Sequence, residues 1–514
     1  MFLPRLGLLL LCAAWLVPGL VGHAPWKGGD GDHFVQLWLM QQQGTSPHLQ
    51  VATPLYYWVA QATAWLSSPL LALSDGARLA SGIFVALALG FVARTARELY
   101  GAEAGWAAAL TLLGCVGLLV RGHELNVYTA QFAAASIVLY ALARLPRGGG
   151  AGWLLALGAA LMLLAGGAAE ALLLLGLAAL LPALLEPYRA PAARRALRVG
   201  IAAALVFAAA WLAFLASEGV SLRQALSAWR WLGDGERAPA YFPGILGWYA
   251  WPAWPLAAWA LYRSRRRWRT PGVVLPAAAL GALLILYAFA ARPAEEQGLI
   301  LLLPLALLAA AGLFTLERGA ANALLWFAVM LFGFIGLVFW VYWSAHDVGV
   351  PERLAARLVR LGVEDVGAFR PWTLAAGVAV TLAWVVFLAR VRRSPLRPIL
   401  VWSAGMTFIW VLLLALFQGP LDRRLSYASV AEGISQRVPA DVCVATGDMR
   451  FQQRQLLAYH SGRRLVAGAA GCDWLLLETR RKDVVPEVDA GWVRQWTGAR
   501  PGDRVERFHL YARP

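Results

Sequence analysis

Long apolar runs separated by short polar loops recur from the N-terminus to about residue 418. A membrane-spanning helix needs about 20 mainly apolar residues, because each residue rises 1.5 Å and the hydrocarbon core is about 30 Å thick. The runs that approach this length cover residues 5–22, 78–98, 103–120, 127–144, 152–168, 171–185, 199–216, 245–262, 272–290, 298–315, 323–343, 372–390 and 399–417. The pattern therefore predicts an all-α polytopic membrane domain over residues 1–418, with about 13 transmembrane helices.

The composition supports a membrane protein over a soluble one. Of the 514 residues, 60% are hydrophobic and 14% are charged, and the mean hydropathy is +0.60. Soluble domains are about 45–50% apolar and about 25% charged. An ordinary soluble enzyme and a disordered chain are both excluded.

The net charge of +16 comes almost entirely from arginine, and its placement indicates the topology. Loops on the cytoplasmic side of a membrane carry the excess of Lys and Arg. The arginines cluster in alternate loops, at 94–97, 144–147, 189–198, 263–269 and 390–397. We expect a bacterial inner membrane protein with a cytoplasmic N-terminus and a periplasmic C-terminal domain. The basic charge is then a topology signal, and no nucleic-acid partner is expected.

Two amphipathic stretches are predicted to lie on the membrane surface. Residues 54–73 are long enough to span, but a span here would move every later arginine cluster to the outside. We therefore assign them to the outer interface, within an outer juxtamembrane loop of residues 23–77. Aromatic rings favour that depth, and the segment carries Tyr56, Tyr57, Trp58 and Trp65. Residues 350–362 place leucines on one helical face and arginines around the other.

The first apolar run has two interpretations. Arg5, an apolar stretch and then Gly22-His23-Ala24 fit a secretory signal peptide. Pro25 directly after that position argues against cleavage, so we favour an uncleaved first span.

The chain changes character at residue 419, where apolar runs shorten and charges become frequent. Residues 442–445 and 474–477 are predicted to form buried strands, 452–459 a helix and 504–513 an alternating strand. Residues 419–514 are therefore expected to form a small α/β domain in the periplasm. That compartment is oxidising, and we expect a disulfide between Cys443 and Cys472, with two separate buried thiols as the alternative.

The first outer loop concentrates ionisable groups beside the membrane. It contains Lys27, Asp30 and Asp32 among three glycines, followed by His33. A carboxylate here can act as general base on an incoming hydroxyl or amine. The alternative is a solvated turn whose aspartates cap the following helix.

Other polar residues lie at the predicted outer ends of spans. Arg121, His123 and Glu124 follow the third span, and Arg292 precedes the tenth. Arginine binds phosphate with two parallel hydrogen bonds, so Arg121 and Arg292 are candidates for a lipid phosphate. Headgroup binding or loop solvation is the alternative. His123 and Glu124 are candidate ligands for a divalent metal, but two ligands alone do not define a site.

No P-loop, CxxC pair, HExxH or GxSxG motif occurs in the sequence. The cytoplasmic loops are short and basic, with no room for a nucleotide-binding domain. These observations favour a lipid-linked donor reached from the outer leaflet over a nucleotide-activated one.

The chain resembles the membrane glycosyltransferases with the GT-C fold, in particular the dolichyl-phosphate-mannose–protein mannosyltransferase and aminoarabinose lipid A transferase group. The resemblance rests on Pro25-Trp26-Lys27 with Asp30 shortly after, and on Thr53-Pro54-Leu55-Tyr56-Tyr57-Trp58. It also rests on Arg292 ahead of Leu303-Pro304-Leu305 and on the layout of spans and outer domain.

The resemblance implies transfer of a sugar from a polyprenyl-phosphate donor on the periplasmic face, to a lipid A, protein, glycan or other lipid acceptor. It implies that Asp30 is the general base, with Asp32 as second choice. Two departures stand out: Gly31 replaces the family's Glu after the aspartate, and residues 51–53 lack its Glu-Lys pair. Candidates to replace that lysine are Lys27, His48 and Arg121. The substrate-binding candidates also include Tyr56, Tyr57, His123, Glu124 and Arg292.

The alternative from another class is a transporter or flippase of a lipid-linked intermediate. Such carriers place polar residues at mid-membrane and often contain internal repeats. We find no half-to-half repeat, and polar residues collect at the outer ends of the spans. This distribution favours an enzyme that acts at the membrane surface.

Overall fold

The computed structural model describes residues 2–46, 53–228, 241–289, 294–363, 366–468, 471–480, 486–489 and 491–513. Helices dominate the chain up to residue 435. Their bounds are α1 Phe2–Leu16, α2 Gly29–Gln43, α3 Pro54–Ser67, α4 Leu73–Tyr100, α5 Ala104–Leu113, α6 Val116–Arg121, α7 Tyr128–Arg144, α8 Ala151–Leu164, α9 Ala168–Leu184, α10 Pro191–Ser217, α11 Leu222–Ala228, α12 Tyr241–Tyr249, α13 Ala253–Ser264, α14 Pro271–Ala288, α15 Leu299–Leu313, α16 Arg318–Trp343, α17 Glu352–Arg360, α18 Pro371–Arg390, α19 Arg397–Leu425 and α20 Ala428–Ser435. Helix α21, Phe451–Ser461, follows within the C-terminal sheet region.

Many of these helices have the length and composition of membrane spans. Within the described residues, eight are long and apolar enough to cross a bilayer, and four shorter apolar helices accompany them. Helices suit this solvent because each satisfies its backbone hydrogen bonds internally. The prediction of an all-α polytopic membrane protein is confirmed.

Two predicted spans are each divided into a pair of helices. The run 103–120 forms α5 and α6, which are separated at Gly114-Cys115. The indole of Trp402 donates a hydrogen bond to the Gly114 carbonyl at 2.9 Å, and a Cβ at Gly114 would lie 2.6 Å from that ring. The run 245–262 forms α12 and α13, with Pro252 directly before α13. Since proline cannot donate a backbone hydrogen bond, a helix begins more readily there than it continues.

Within the segment 54–73, a helix is observed as α3, with Pro54 at its first position; its place at the outer membrane interface stays a prediction. One face is buried through Tyr56, Tyr57 and Ala60, whereas Trp65 is 74% exposed. Proline is well tolerated at the start of a helix, because the first amides have no intrahelical acceptor. The segment 350–362 contains helix α17, and its position on the membrane surface likewise stays a prediction.

The contacts divide the chain into two compact units, each built from separated stretches of sequence. The first contains residues 1–21, 40–333 and 383–410, and the second contains 22–39, 334–382 and 411–514. Helix α19 continues through the predicted domain boundary at 418/419 as far as Leu425.

The C-terminal part of the second unit forms a five-stranded mixed sheet in the order β2-β1-β3-β5-β4. Its strands are β1 Cys443–Thr446, β2 Arg464–Ala467, β3 Trp474–Thr479, β4 Val493–Gly498 and β5 Arg507–Ala512. Strand β1 pairs in parallel with β2 and β3, whereas β5 runs antiparallel to β3 and β4. The predicted α/β character of this region is therefore observed. Strand β5 is buried at five consecutive positions instead of alternating, because it lies inside the sheet.

A disulfide joins Cys443 to Cys472, whose Cα atoms lie 5.4 Å apart. Cys472 belongs to a small apolar cluster with Ala445, Leu475 and Tyr511. The bond thus links the start of β1 to the loop before β3 across this cluster.

We expect the substitution of both cysteines by serine to destabilise the C-terminal sheet by about 3–4 kcal/mol. The crosslink closes a loop with a sequence separation of 29 residues, which restricts the unfolded chain by that order of magnitude. Pulse proteolysis of the full-length protein in urea should show a lower midpoint for cleavage within residues 419–514. Cys12→Ser removes a free cysteine of α1 and serves as the control. An unchanged midpoint in the double variant would contradict a stabilising role for the bond.

Candidate functional site

The loop before α2, residues 23–28, is fastened to the C-terminal end of α19. Trp26 forms a β-bridge with Ser426, and the Lys27 amide donates to the Leu425 carbonyl at 2.8 Å. The carboxylate of Asp422 accepts two further hydrogen bonds at its Oδ1, from the Ala24 amide at 3.0 Å and the Trp26 indole at 3.1 Å. This single carboxylate therefore fixes both the backbone and the aromatic side chain of the Pro25-Trp26-Lys27 motif.

Asp30 lies in the first turn of α2 and is 1% exposed. Its Oδ2 accepts a hydrogen bond from the Trp26 amide at 2.8 Å. A buried carboxylate needs such donors, because burying an uncompensated charge is costly. Asp30 thus faces the protein interior and not bulk solvent.

Gly31 is required by close packing at this turn. A Cβ at this position would lie 2.6 Å from the Trp26 carbonyl oxygen and 2.8 Å from the Leu456 side chain. The Glu that the resembled family carries after its aspartate has no space here. The departure at Gly31 therefore has a packing reason within this chain.

Asp32 differs from Asp30 in its surroundings. The residue is exposed, yet desolvation of its carboxyl group raises the pKa of Asp32 above the ordinary value, and the charge of Arg450 opposes that rise. The two aspartates of the loop therefore have distinct environments: one is buried and hydrogen-bonded, and the other is accessible beside an arginine.

Lys27 pairs with a carboxylate from the C-terminal region. Its Nζ lies 3.6 Å from Glu506, and Arg450 lies 3.7 Å from the same oxygen. The other oxygen of Glu506 is 3.0 Å from Arg500 and accepts a hydrogen bond from the Tyr427 hydroxyl at 3.2 Å. Glu506 thus pairs with three cations, Lys27, Arg450 and Arg500. We call the group around the two loop aspartates the acidic-loop site (Lys27, Asp30, Asp32, Asp422, Arg450 and Glu506).

The first unit contains a second polar centre, the Arg121 cluster (Arg121, Glu124, Glu295 and Glu296). The guanidinium of Arg121 lies 3.0 Å from Glu124, 3.2 Å from Glu295 and 3.1 Å from Glu296. One cation thus faces three carboxylates. With those carboxylates ionised, the cluster carries excess negative charge and is a better neighbour for neutral or cationic groups than for a second anion.

Buried hydrogen bonds support the backbone beside this cluster. The Tyr56 hydroxyl lies 2.8 Å from the Ser81 hydroxyl and accepts a bond from the Asn126 amide at 3.1 Å. Ser81 in turn donates to the Glu124 carbonyl at 2.7 Å. Tyr56 is fully buried and Tyr57 nearly so, so Tyr56 positions the 124–126 turn from within the protein.

His123 joins two helices through its ring. Its Nδ1 lies 2.7 Å from the Leu119 carbonyl, and its Nε2 lies 2.9 Å from the Trp15 carbonyl. The residue is 2% exposed. Both ring nitrogens thus face backbone acceptors.

No group of three or more His, Cys, Asp or Glu side chains with metal-binding geometry occurs in the described part of the chain.

A buried hydrogen bond links the first turn of α9 to α14. The Tyr287 hydroxyl donates to Glu170 at 3.2 Å, and both residues are buried. Glu170 thus joins two helices of the first unit.

His48 and Arg292, two further candidates, lie outside the described residues.

The predicted residues fall into two groups. Lys27, Asp30 and Asp32 share one unit with each other, whereas Tyr56, Tyr57, Arg121, His123 and Glu124 share the other. Asp422, Arg450 and Glu506 were not predicted from the sequence, because they follow the loop by several hundred residues. An acidic residue directly after the last apolar run was the one available signal for Asp422.

No known family profile matches the sequence, and no curated protein is detectably similar to it. The structure is nevertheless similar to ArnT from Cupriavidus metallidurans bound to undecaprenyl phosphate, with a TM-score of 0.68 at 15% identity, covering 99% of this chain and 97% of ArnT. The apo state of the same ArnT gives a TM-score of 0.69 at the same identity and coverage. The oligosaccharyltransferase AglB from Archaeoglobus fulgidus, in complex with an inhibitory peptide and a dolichol-phosphate, is more distant, with a TM-score of 0.45 at 11% identity, covering 92% of this chain and 69% of AglB.

The chain therefore has the fold of ArnT along nearly its whole length. The predicted GT-C membrane fold with a small C-terminal sheet region is confirmed. The chain is a multi-pass membrane protein.

We expect Asp422→Ala to loosen the Pro25-Trp26-Lys27 segment at α19, since both hydrogen bonds to Oδ1 are lost and only the backbone pairing with residues 425 and 426 remains. The sequence contains only two lysines, Lys27 and Lys482. A lysine-specific endoprotease should cut after Lys27 at least several-fold faster in the variant. Cleavage after Lys482 provides the internal reference.

Asp422→Asn keeps an acceptor oxygen at this position and is the matched control. Its cleavage rate after Lys27 should remain close to that of the unmodified protein. Equal rates in all three proteins would mean that Asp422 does not hold the segment.

Proposed function

We propose that this protein is a membrane glycosyltransferase that moves a sugar from a polyprenyl-phosphate donor to an acceptor at the outer face of the membrane. The observation that carries the proposal is the similarity to ArnT over 99% of the chain, together with a buried aspartate in the first outer loop. ArnT was crystallised with undecaprenyl phosphate, which supports a lipid phosphate as the leaving group here.

Asp30 is the proposed general base. It is buried and oriented by the Trp26 amide, and fixed orientation is what proton transfer in a transition state requires. The acceptor hydroxyl or amine gives its proton to the carboxylate, and its oxygen or nitrogen attacks the anomeric carbon. The bond from that carbon to the phosphate oxygen breaks, polyprenyl phosphate leaves with the electron pair, and the configuration inverts.

Asp32 is the second choice for this role. The pKa of the Asp32 carboxyl is raised toward neutral pH, which suits a base that must accept and release a proton. Its side chain is exposed, however, and an exposed carboxylate is less firmly oriented than a buried and hydrogen-bonded one. Asp30 is therefore preferred.

We propose different residues for the phosphate of the donor and for the hydroxyl or amino groups of a substrate. The resemblance assigns the phosphate to Arg292, and Lys27 and His48 stay candidates to replace the lysine that the family carries. Arg121 already faces three carboxylates, so we assign its cluster to hydroxyl or amino groups of a substrate instead. Acidic side chains suit both, because they accept hydrogen bonds and attract an ammonium group.

The face of the membrane follows from the arginine clusters in alternate loops, which favour a periplasmic position for the first loop and the C-terminal sheet at an inner membrane. The acceptor is a lipid, protein or glycan accessible from that side.

The test is an assay of purified protein in bilayer discs. Radiolabelled polyprenyl-phosphate hexose and polyprenyl-phosphate amino sugar are offered with lipid A, membrane phospholipid and peptide acceptors. Transfer of label to one acceptor identifies the reaction. Movement of the labelled lipid across a vesicle bilayer without any transfer would instead indicate a flippase.

We expect Asp30→Asn to lower turnover by about 10²–10⁴-fold, the usual contribution of a general base. Asp32→Asn, the comparison variant two residues away, should retain most of the activity. Both variants should elute normally in size exclusion, because the substituted asparagine at position 30 still offers an oxygen to the Trp26 amide.

A reversed result, with Asp32→Asn inactive and Asp30→Asn active, would move the base to Asp32. Full activity in both variants would remove the proposed chemistry from this loop.

A further inference from the structure

A cavity of about 480 Å³ lies within the second compact unit. Its walls come from the C-terminal part of α16, from α17 and the residues after it, and from the C-terminal part of α19, with the turn Pro501-Gly502 at one edge. Its size is within the range of about 300–1,000 Å³ that small-molecule pockets occupy. None of the residues of the acidic-loop site lines it.

Most of the lining is apolar, as a hydrocarbon chain requires. Phe339, Leu358 and Phe417 represent its three helical walls. Two of these walls, α16 and α19, have the length and composition of membrane spans, so acyl chains are the hydrocarbon at hand.

The polar residues of the lining that the structure describes are basic or neutral. Arg423, Arg424 and His346 line the cavity, and no acidic residue does so among the described lining residues. An apolar chamber with two guanidinium groups complements a molecule that has a hydrocarbon tail and an anionic head. Arginine is well suited to phosphate oxygens, because its planar fork donates two parallel hydrogen bonds.

His346 supplies an independent observation. It is 3% exposed, and its Nδ1 lies 2.6 Å from Asp347 Oδ1. Asp347 is itself held by Arg370 at 2.9 Å and by the Thr373 hydroxyl at 3.1 Å. The ring orientation is therefore fixed by a buried network.

The other ring nitrogen of His346 is unsatisfied. Nε2 is buried and has no hydrogen-bond partner within the described residues. Buried polar atoms in folded proteins are nearly always paired. A ligand hydroxyl satisfies this nitrogen as an acceptor, and a phosphate oxygen satisfies it where the ring carries both protons. A lipid headgroup in the cavity brings both kinds of oxygen next to Arg423 and Arg424.

We propose that this cavity binds an anionic glycerophospholipid, with its phosphate beside Arg423, Arg424 and His346 and an acyl chain along α16 and α19. The site is separate from the proposed glycosyl transfer and does not depend on it. The packing of the C-terminal parts of α16 and α19 would then depend on the lipids present in the surrounding leaflet.

The experiment measures lipid retention by the detergent-purified full-length protein in native mass spectrometry, with phosphatidylglycerol as the probe. Phosphatidylcholine with the same chains is the zwitterionic comparison, and inorganic phosphate tests for a free-anion site. We expect at least tenfold stronger retention of phosphatidylglycerol than of phosphatidylcholine, and no displacement by inorganic phosphate at millimolar concentration.

The double variant Arg423→Gln/Arg424→Gln should lower phosphatidylglycerol retention about tenfold. Arg392→Gln/Arg393→Gln is the matched control, since it neutralises an adjacent and exposed arginine pair that does not line the cavity. Val338→Trp keeps every charge but fills the cavity, and it should lower retention as well. It provides the test should the double variant fail to fold, as judged by size exclusion.

A diazirine-labelled phosphatidylglycerol locates the lipid directly. Crosslinks to peptides spanning residues 338–346 and 413–421 support the proposal, and crosslinks confined to other helices overturn it. Equal retention of both lipids, equal losses in the two arginine double variants, or displacement by inorganic phosphate would also overturn it. Preferential displacement by polyprenyl phosphate would assign the cavity to that lipid and overturn the glycerophospholipid.

Discussion

The carboxylate of Asp422 is the interaction on which the candidate site depends. It accepts hydrogen bonds from the Ala24 amide and the Trp26 indole, and so fastens the loop before α2 to the end of a long apolar helix. The Trp26 amide then donates to Asp30. A buried aspartate is thereby oriented by a segment that a second aspartate holds in place. Since each bond fixes the donor or acceptor of the next, the geometry of Asp30 follows from the end of α19, several hundred residues further along the chain.

Whether lipid or water surrounds a segment decides where its charged side chains lie. Lipid excludes unpaired ions and unsatisfied backbone groups, so the ionisable side chains of the structure collect at helix ends and pair there. Arg121 faces three carboxylates, and Glu506 faces three cations.

Buried ionic pairs also appear where the apolar pattern alone would place none. Arg78 is fully buried in α4 and pairs with Asp75 at 2.8 Å, and it donates to the Leu20 carbonyl at 3.3 Å. From the sequence, residues 78–98 were predicted as an ordinary span, and this arginine was not singled out. A charge inside an apolar run is stable only when it is paired with an opposite charge. Packing decides whether Asp75, one turn away from Arg78, faces the interior and supplies that charge.

The sequence by itself determined the class of the protein, its helical membrane domain, its sheet-forming tail and the loop that carries the candidate aspartates. These follow from local rules, because a bilayer imposes the length and polarity of its spanning helices and short apolar runs mark the buried strands. Only the tertiary structure decided that α5 and α6 are separated where Trp402 reaches Gly114, that Gly31 has no room for a side chain, and that Lys27 meets Glu506. It also decided that β4 is a strand at all, since its exposed residues carry no apolar signal. Each of these depends on residues that are distant in sequence, and pairing across such distances is chosen by the packing of the whole chain.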